Sequence, residues 1–248
     1  MIYKIYEEES NINYELTICE IINLIKKYKE NTFYKFIDNN KIKINNTIIL
    51  NTQFICHRVN SVNELKNIDS QFGVEIDLRD DHKSGKIILA HDPFIDGEYF
   101  EDYLKIYSHN TLILNIKSER VELECLKLLE KYNINNYFFL DSSFPIIYLL
   151  NKDYKNNNIA CRFSEYEIIN FINSENMFST IWVDCFTEFP LNKENYELIK
   201  NENKKICIVS PELQKQPEKI ELYRNIIINE NIIPDMICCK VYNIIIWI

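Results

Sequence analysis

Glycine is nearly missing from this chain, with three among 248 residues, and proline is sparse at six. That excludes collagen-like and glycine-rich low-complexity readings, and turns have to be read from Asn, Asp and Ser instead. Positive charge is also short: 28 Lys and Arg stand against 37 Asp and Glu, a formal charge of −9. No basic tract offers the phosphate-neutralising surface that nucleic acid requires, so no nucleic-acid partner is expected. The start, MIYKIYEEES, is acidic where a secretory signal carries a basic segment and then an apolar one, and no apolar run approaches the length of a bilayer span. A cytoplasmic protein with no transmembrane segment is expected. GxxxxGK[ST], GxGxxG, HExxH and GxSxG are absent as well, which removes the usual nucleotide, zinc-protease and serine-hydrolase signatures.

What is present begins with eight cysteines. None form CxxC, and several lie in apolar runs such as KKICIVS and IWVDCF, so buried reduced thiols are expected rather than disulfides or zinc ligands. Hydrophobic residues make up 46% of the chain, enough for one large core. From residue 52 onward, eight short apolar runs alternate with helical periodicity: 52–58, 73–79, 111–117, 137–143, 159–165, 180–186, 205–211 and 235–241. This is the pattern of a parallel sheet wound by crossover helices, and eight repeats predict a TIM-type (β/α)8 barrel. Helices are predicted at VNELKNI, FEDYLKIY, RVELECLKLLEKY, FPIIYLLNK, YEIINFIN, NKENYELIKNEN and EKIELYRNIIINEN. GKIILAHDPF (85–94) reads as a hairpin arm at the barrel mouth. Only seven residues follow the last run, so an amphipathic N-terminal helix over 14–30 is predicted to cover the seam between strands eight and one. Residues 1–51 then form an N-terminal helical extension packed on the barrel of 52–248, one domain in all.

In GVEIDLR, Glu75 and Asp77 share one face of a strand while Val74, Ile76 and Leu78 share the other. Two like charges held so close call for a cation, and hard oxygen ligands suit Mg²⁺ or Ca²⁺; an Arg or Lys counter-ion is the structural alternative. In TLILNIK, Asn115 and Lys117 point the same way, and Lys117 can stabilise an anionic phosphorus centre or serve as a counter-ion to Glu75 or Asp77. His57 and His91 end β segments, and a general acid and a general base are what phosphodiester cleavage needs. His82 and His109 read as ordinary loop residues. Trp182, inward beside Asp184, and Trp247, after the last strand, read as core residues that can also wall a pocket.

Taken together, HR (57–58), NSVNE (60–64), EIDLR (75–79), HDPF (91–94), NIK (115–117) and SSF (142–144) resemble, in order, the motif series of the glycerophosphodiester phosphodiesterase family, within the phosphatidylinositol phospholipase C-like phosphodiesterase superfamily. The resemblance implies a barrel that cleaves a small-molecule phosphodiester with two histidines and a divalent cation. Carried over by position, His57 and His91 are the acid/base pair, Arg58 and Lys117 the phosphate contacts, and Glu75 and Asp77 metal ligands. Asp92 would orient His91. The chain departs from the family at Val59, where a glycine is usual, and at Asn115, where the third carboxylate ligand is usual; Asn115 still offers an oxygen. By period two, Asp141 is placed inward, opposite Phe138 and Leu140, where it would restore the lost negative charge. Two rivals follow from the same residues: a sphingomyelinase D-like phospholipase with an exposed aromatic rim, and a barrel that binds a phosphorylated ligand without turnover.

Overall fold

The computed structural model describes residues 1–37, 39–167 and 177–248. Residues 1–51 are not the helical extension expected from periodicity. β1 (Tyr3–Glu7), β2 (Ile12–Leu16), β3 (Phe33–Ile37) and β4 (Asn40–Lys43) form an antiparallel sheet in the order β2-β1-β3-β4. The helix predicted over 14–30 is α1 (Ile18–Lys27) only, because Ile12–Leu16 pairs with β1 as a strand. Thr17 caps α1 in a capping box with Glu20, and Ile18, Ile21, Ile22 and Ile25 bury one stripe of the helix. A short helix, α2 (Asn46–Asn51), lies against α1 and leads into the barrel-like part of the fold.

There the eight apolar runs become β5 (Gln53–Cys56), β6 (Gly73–Asp80), β9 (Leu112–Ile116), β10 (Tyr137–Leu140), β11 (Ala160–Phe163), β12 (Thr180–Val183), β13 (Lys205–Val209) and β14 (Met236–Cys239). They pair in parallel along the path β10-β9-β6-β5-β14-β13-β12-β11. The two ends of that path meet at a single parallel bridge, Phe139 to Ile159, rather than along a full ladder. Gly73 sits where β5, β6 and β9 crowd together: a Cβ there would lie 2.3 Å from Ile55 Cδ1 and 2.6 Å from the Thr111 carbonyl. Between β6 and β9, β7 (Ile87–Leu89) turns back antiparallel on β6 and pairs with β8 (Glu98–Tyr99), so segment 85–94 is a hairpin arm.

The connecting helices are α3 (Val62–Lys66), α4 (Phe100–Leu104), α5 (Glu122–Lys131), α6 (Phe144–Tyr154), α7 (Lys193–Asn201) and α8 (Ile220–Asn229). The helix expected at YEIINFIN lies mostly outside the described residues. One turn does follow the last strand where none was expected, α9 (Ile244–Trp247), and it buries Ile244, Ile245 and Trp247. It meets the N-terminal sheet directly, for Lys35 Nζ donates to the carbonyls of Ile245 at 2.6 Å and Ile246 at 3.1 Å.

Strand alternation sorts the apolar residues into two layers. Val74, Ile76, Leu78, Leu112, Leu114 and Ile116 join the outer core under the helices. Ile55, Ile113, Phe138, Leu140, Trp182 and Cys207 fill an inner one. All eight cysteines are free thiols. Among the described residues no helix is long and apolar enough to cross a membrane.

Candidate active site

Glu75 and Asp77 project from β6 away from the outer core, 1% and 0% exposed. Burying two carboxylates this fully demands partners, and each has a distinct set. Glu75 Oε2 accepts the Arg58 backbone N–H at 2.7 Å, and Oε1 accepts the Asn115 amide at 2.8 Å. Burial above all, then the neighbouring Asp77 charge, pushes the Glu75 carboxyl above its ordinary range. Asp77 Oδ2 accepts Asn60 Nδ2 at 2.8 Å and lies 3.3 Å from Arg58 Nε, while Oδ1 lies 3.7 Å from Lys117 Nζ. Asn60 also accepts the Asp77 backbone N–H at 2.8 Å, so one amide side chain ties the β5–α3 loop to the middle of β6.

Arg58 reaches this position through a left-handed backbone, φ 60°. Val59, where the resembling family has glycine, is buried and donates its N–H to the Glu75 carbonyl at 2.9 Å. The strained residue here is therefore the arginine rather than the residue after it.

His57 follows β5. Its Nε2 stands 3.8 Å from Glu75 Oε2, and its Nδ1 is buried with no hydrogen-bond partner. Burial first, then the positive charges of Lys240, Arg58, His91 and Lys117, lowers the imidazole pKa to about 3. His57 is thus neutral at neutral pH. His91, after the β7 arm, differs: its side chain is more than a third exposed and its Nδ1 is 2.7 Å from Asp92 Oδ1. Arg79 anchors this loop by donating to the His91 carbonyl at 3.1 Å.

Asp141 arrives by a different route from the one expected. Phe138 and Leu140 belong to the inner layer, so alternation alone would send residue 141 outward. A left-handed backbone at Asp141, φ 61°, turns the carboxylate back. Its Oδ2 lies 3.3 Å from Lys117 Nζ, and its Oδ1 is held by Arg162. Arg162 was not anticipated, although it shares a face with inward Ala160 and alternation was enough to find it. It also lies 3.4 Å from buried Asp184 and 3.9 Å from Glu167. Trp182 fills the inner layer below. Trp247 is no pocket wall: it is fully buried in the outer core and its Nε1 donates to Ser210 Oγ at 2.8 Å.

The divalent cation that the motif series implies would draw on the oxygens of Glu75, Asp77 and Asn115. Asn115 offers its nitrogen, not its oxygen, to Glu75; the oxygen accepts Lys117 Nζ at 2.7 Å. Reversing the amide would set its NH₂ against an ammonium and its oxygen against a carboxylate. Among the described residues, no three His, Cys, Asp or Glu side chains converge as a metal set. As arranged, these residues do not fit a three-ligand cation.

No family model and no curated protein matches the chain. Solved structures do. A glycerophosphodiester phosphodiesterase from Agrobacterium tumefaciens str. C58 superposes with a TM-score of 0.56 at 11% identity, over 77% of this chain and 97% of that one. A glycerophosphoryl diester phosphodiesterase from Parabacteroides distasonis ATCC 8503 does so with a TM-score of 0.55 at 12% identity, over 97% and 91%. The chain shares their TIM-like α/β fold.

Proposed function

We propose that the protein is a phosphodiesterase acting on a glycerophosphodiester or a related alcohol phosphodiester. The observation that carries this reading is the convergence of His57, Arg58, Glu75, Asp77, Asn115 and Lys117 where β5, β6 and β9 run side by side, with His91 among the charges that bias His57. The guanidinium of Arg58 and the ammonium of Lys117 hold the non-bridging phosphate oxygens and stabilise the charge that builds up at a pentacoordinate phosphorus. Neutral His57 takes the proton from the attacking water or hydroxyl as the new P–O bond forms. His91, oriented by Asp92, gives its proton to the departing alkoxide as the old P–O bond breaks. Hydrolysis of bis(p-nitrophenyl) phosphate and of glycerophosphodiesters tests the proposal, and no turnover of either by the folded protein would end it.

A second reading, a lipid-borne phosphodiester, is favoured by exposed aromatics in the segments that follow the strands. Phe94, Phe144, Tyr166 and Tyr242 are 91%, 55%, 70% and 54% exposed. Sedimentation with phosphatidylcholine vesicles separates this from a soluble substrate.

A further inference from the structure

We propose that this site works without a divalent cation, its place taken by the Lys117 ammonium, and that Asn115 is the residue that decides it. The inference rests on the phosphodiesterase reading for its catalytic part only. All but one of the oxygens that a cation would need already accept an N–H group. Both oxygens of Glu75 accept N–H groups, from Asn115 and from Arg58. Asp77 Oδ2 holds Asn60 and faces Arg58. Asp141 gives one oxygen to Arg162 and the other to Lys117. The Asn115 oxygen is on Lys117. Asp77 Oδ1 alone accepts no hydrogen bond, and the nearest cation to it is again Lys117 Nζ at 3.7 Å.

One ammonium therefore faces Asn115, Asp77 and Asp141 together, at 2.7, 3.7 and 3.3 Å. That is the position of an ion shared by β6, β9 and β10. Charge points the same way. A divalent ion bound to Asp77 would enter between Arg58 and Lys117, with two like charges within about 4 Å of its ligand, while the third carboxylate, Asp141, is held by Arg162 and Lys117. A glutamate or aspartate at 115 would instead compete with Asp77 and Asp141 for Lys117 and add the missing anionic ligand. The side chain at 115 thus chooses between an ammonium and a metal.

The test uses full-length protein dialysed against EDTA. Isothermal titration calorimetry and thermal melting with Mg²⁺, Ca²⁺ and Mn²⁺ are run on the wild type, Asn115→Asp and Asn115→Glu. The wild type is expected to show no saturable heat and no saturable rise in melting temperature, while at least one of the acidic variants gains both, since an ion that binds only the folded state must raise its stability. Hydrolysis by the wild type should change by less than about twofold on adding EDTA, and Lys117→Met should lose about 10²-fold or more, the size of effect seen when one preorganised charge-stabilising donor is removed. Stoichiometric binding of any of the three ions by the wild type, or a rate abolished by EDTA and restored by metal, overturns the proposal. So does failure of both acidic variants to bind an ion while still folded. Should the protein hydrolyse nothing, calorimetry and melting still decide the metal question, and the failure belongs to the phosphodiesterase reading.

Discussion

His57 Nε2 and Glu75 Oε2 stand 3.8 Å apart in a buried corner of the site. Burial moves the two groups in opposite directions, each toward its neutral form: the imidazole pKa falls to about 3 and the carboxyl pKa rises. Such a pair has no strong ionic attraction to lose, and its histidine is available as a base well below neutrality. The acid limb of kcat/KM that is due to His57 is therefore expected well below the 6.5 of an ordinary histidine. Lys240 contributes the largest charge effect on His57 and donates to its carbonyl at 3.2 Å. Lys240→Met should move the limb upward, as removing a nearby positive charge favours the protonated imidazole. A pH profile of the two proteins checks this, and an unshifted limb would contradict it.

The two histidines have unlike jobs about one phosphorus. His57→Ala and His91→Ala should each lower kcat by about 10²-fold or more with folding intact. Because both act on the same transition state, the double variant should lose far less than the product of the single losses. His82, exposed and 3.8 Å from Asp81, is the control, and its replacement by Ala should change the rate little.

Arg162 holds three carboxylates, of which Asp184 is almost wholly buried. Removing the guanidinium leaves Asp184 Oδ1 with the Gln214 amide at 2.8 Å and the Cys185 backbone N–H at 3.1 Å, and takes the ion pair from Oδ2. Arg162→Met should destabilise the fold by about 2 kcal/mol, less than breaking a fully buried pair costs because the arginine is 29% exposed. Urea unfolding measures it, and restoration of stability in Arg162→Met/Asp184→Asn would identify the stranded charge as the cause.

Lys35 couples the N-terminal sheet to α9, and burial lowers its pKa from 10.5 to about 7. Between those values the unfolded chain binds this proton and the folded protein does not, so stability rises with pH across the interval. The wild type should therefore gain more stability than Lys35→Met on going from pH 7 to 10, as read from urea midpoints. Equal gains would mean that Lys35 titrates normally.

The barrel-like part of the fold was legible because period two is a strong signal in buried strands: all eight apolar runs are strands, and Glu75, Asp77, Asn115 and Lys117 lie on the inward faces predicted for them. The N-terminal sheet was not legible. Its strands are four or five residues long and are interrupted by charged residues, as in YKIYE and NKIK, so they present no continuous apolar run. Backbone handedness was hidden as well. With glycine so scarce, left-handed positions fall on Asn residues such as Asn133 and Asn203 and, at the site, on Arg58, Phe94 and Asp141, which carry no sequence mark of that conformation. Arg162 belongs to no motif, and only its alternation with inward Ala160 in ACRF marks it. The direction of the Asn115 amide could not be seen at all, because it is set by which partners lie at its two ends.

Phosphorus-31 NMR of a glycerophosphodiester incubated with the wild type and with His57→Ala tests the proposed activity most directly. The diester resonance should give way to a phosphomonoester or cyclic phosphate with the wild type and persist with the variant, whose rate should be lower by about 10²-fold. A diester resonance that persists with the folded wild type, or that decays equally with both proteins, would contradict a histidine-based phosphodiesterase on this fold.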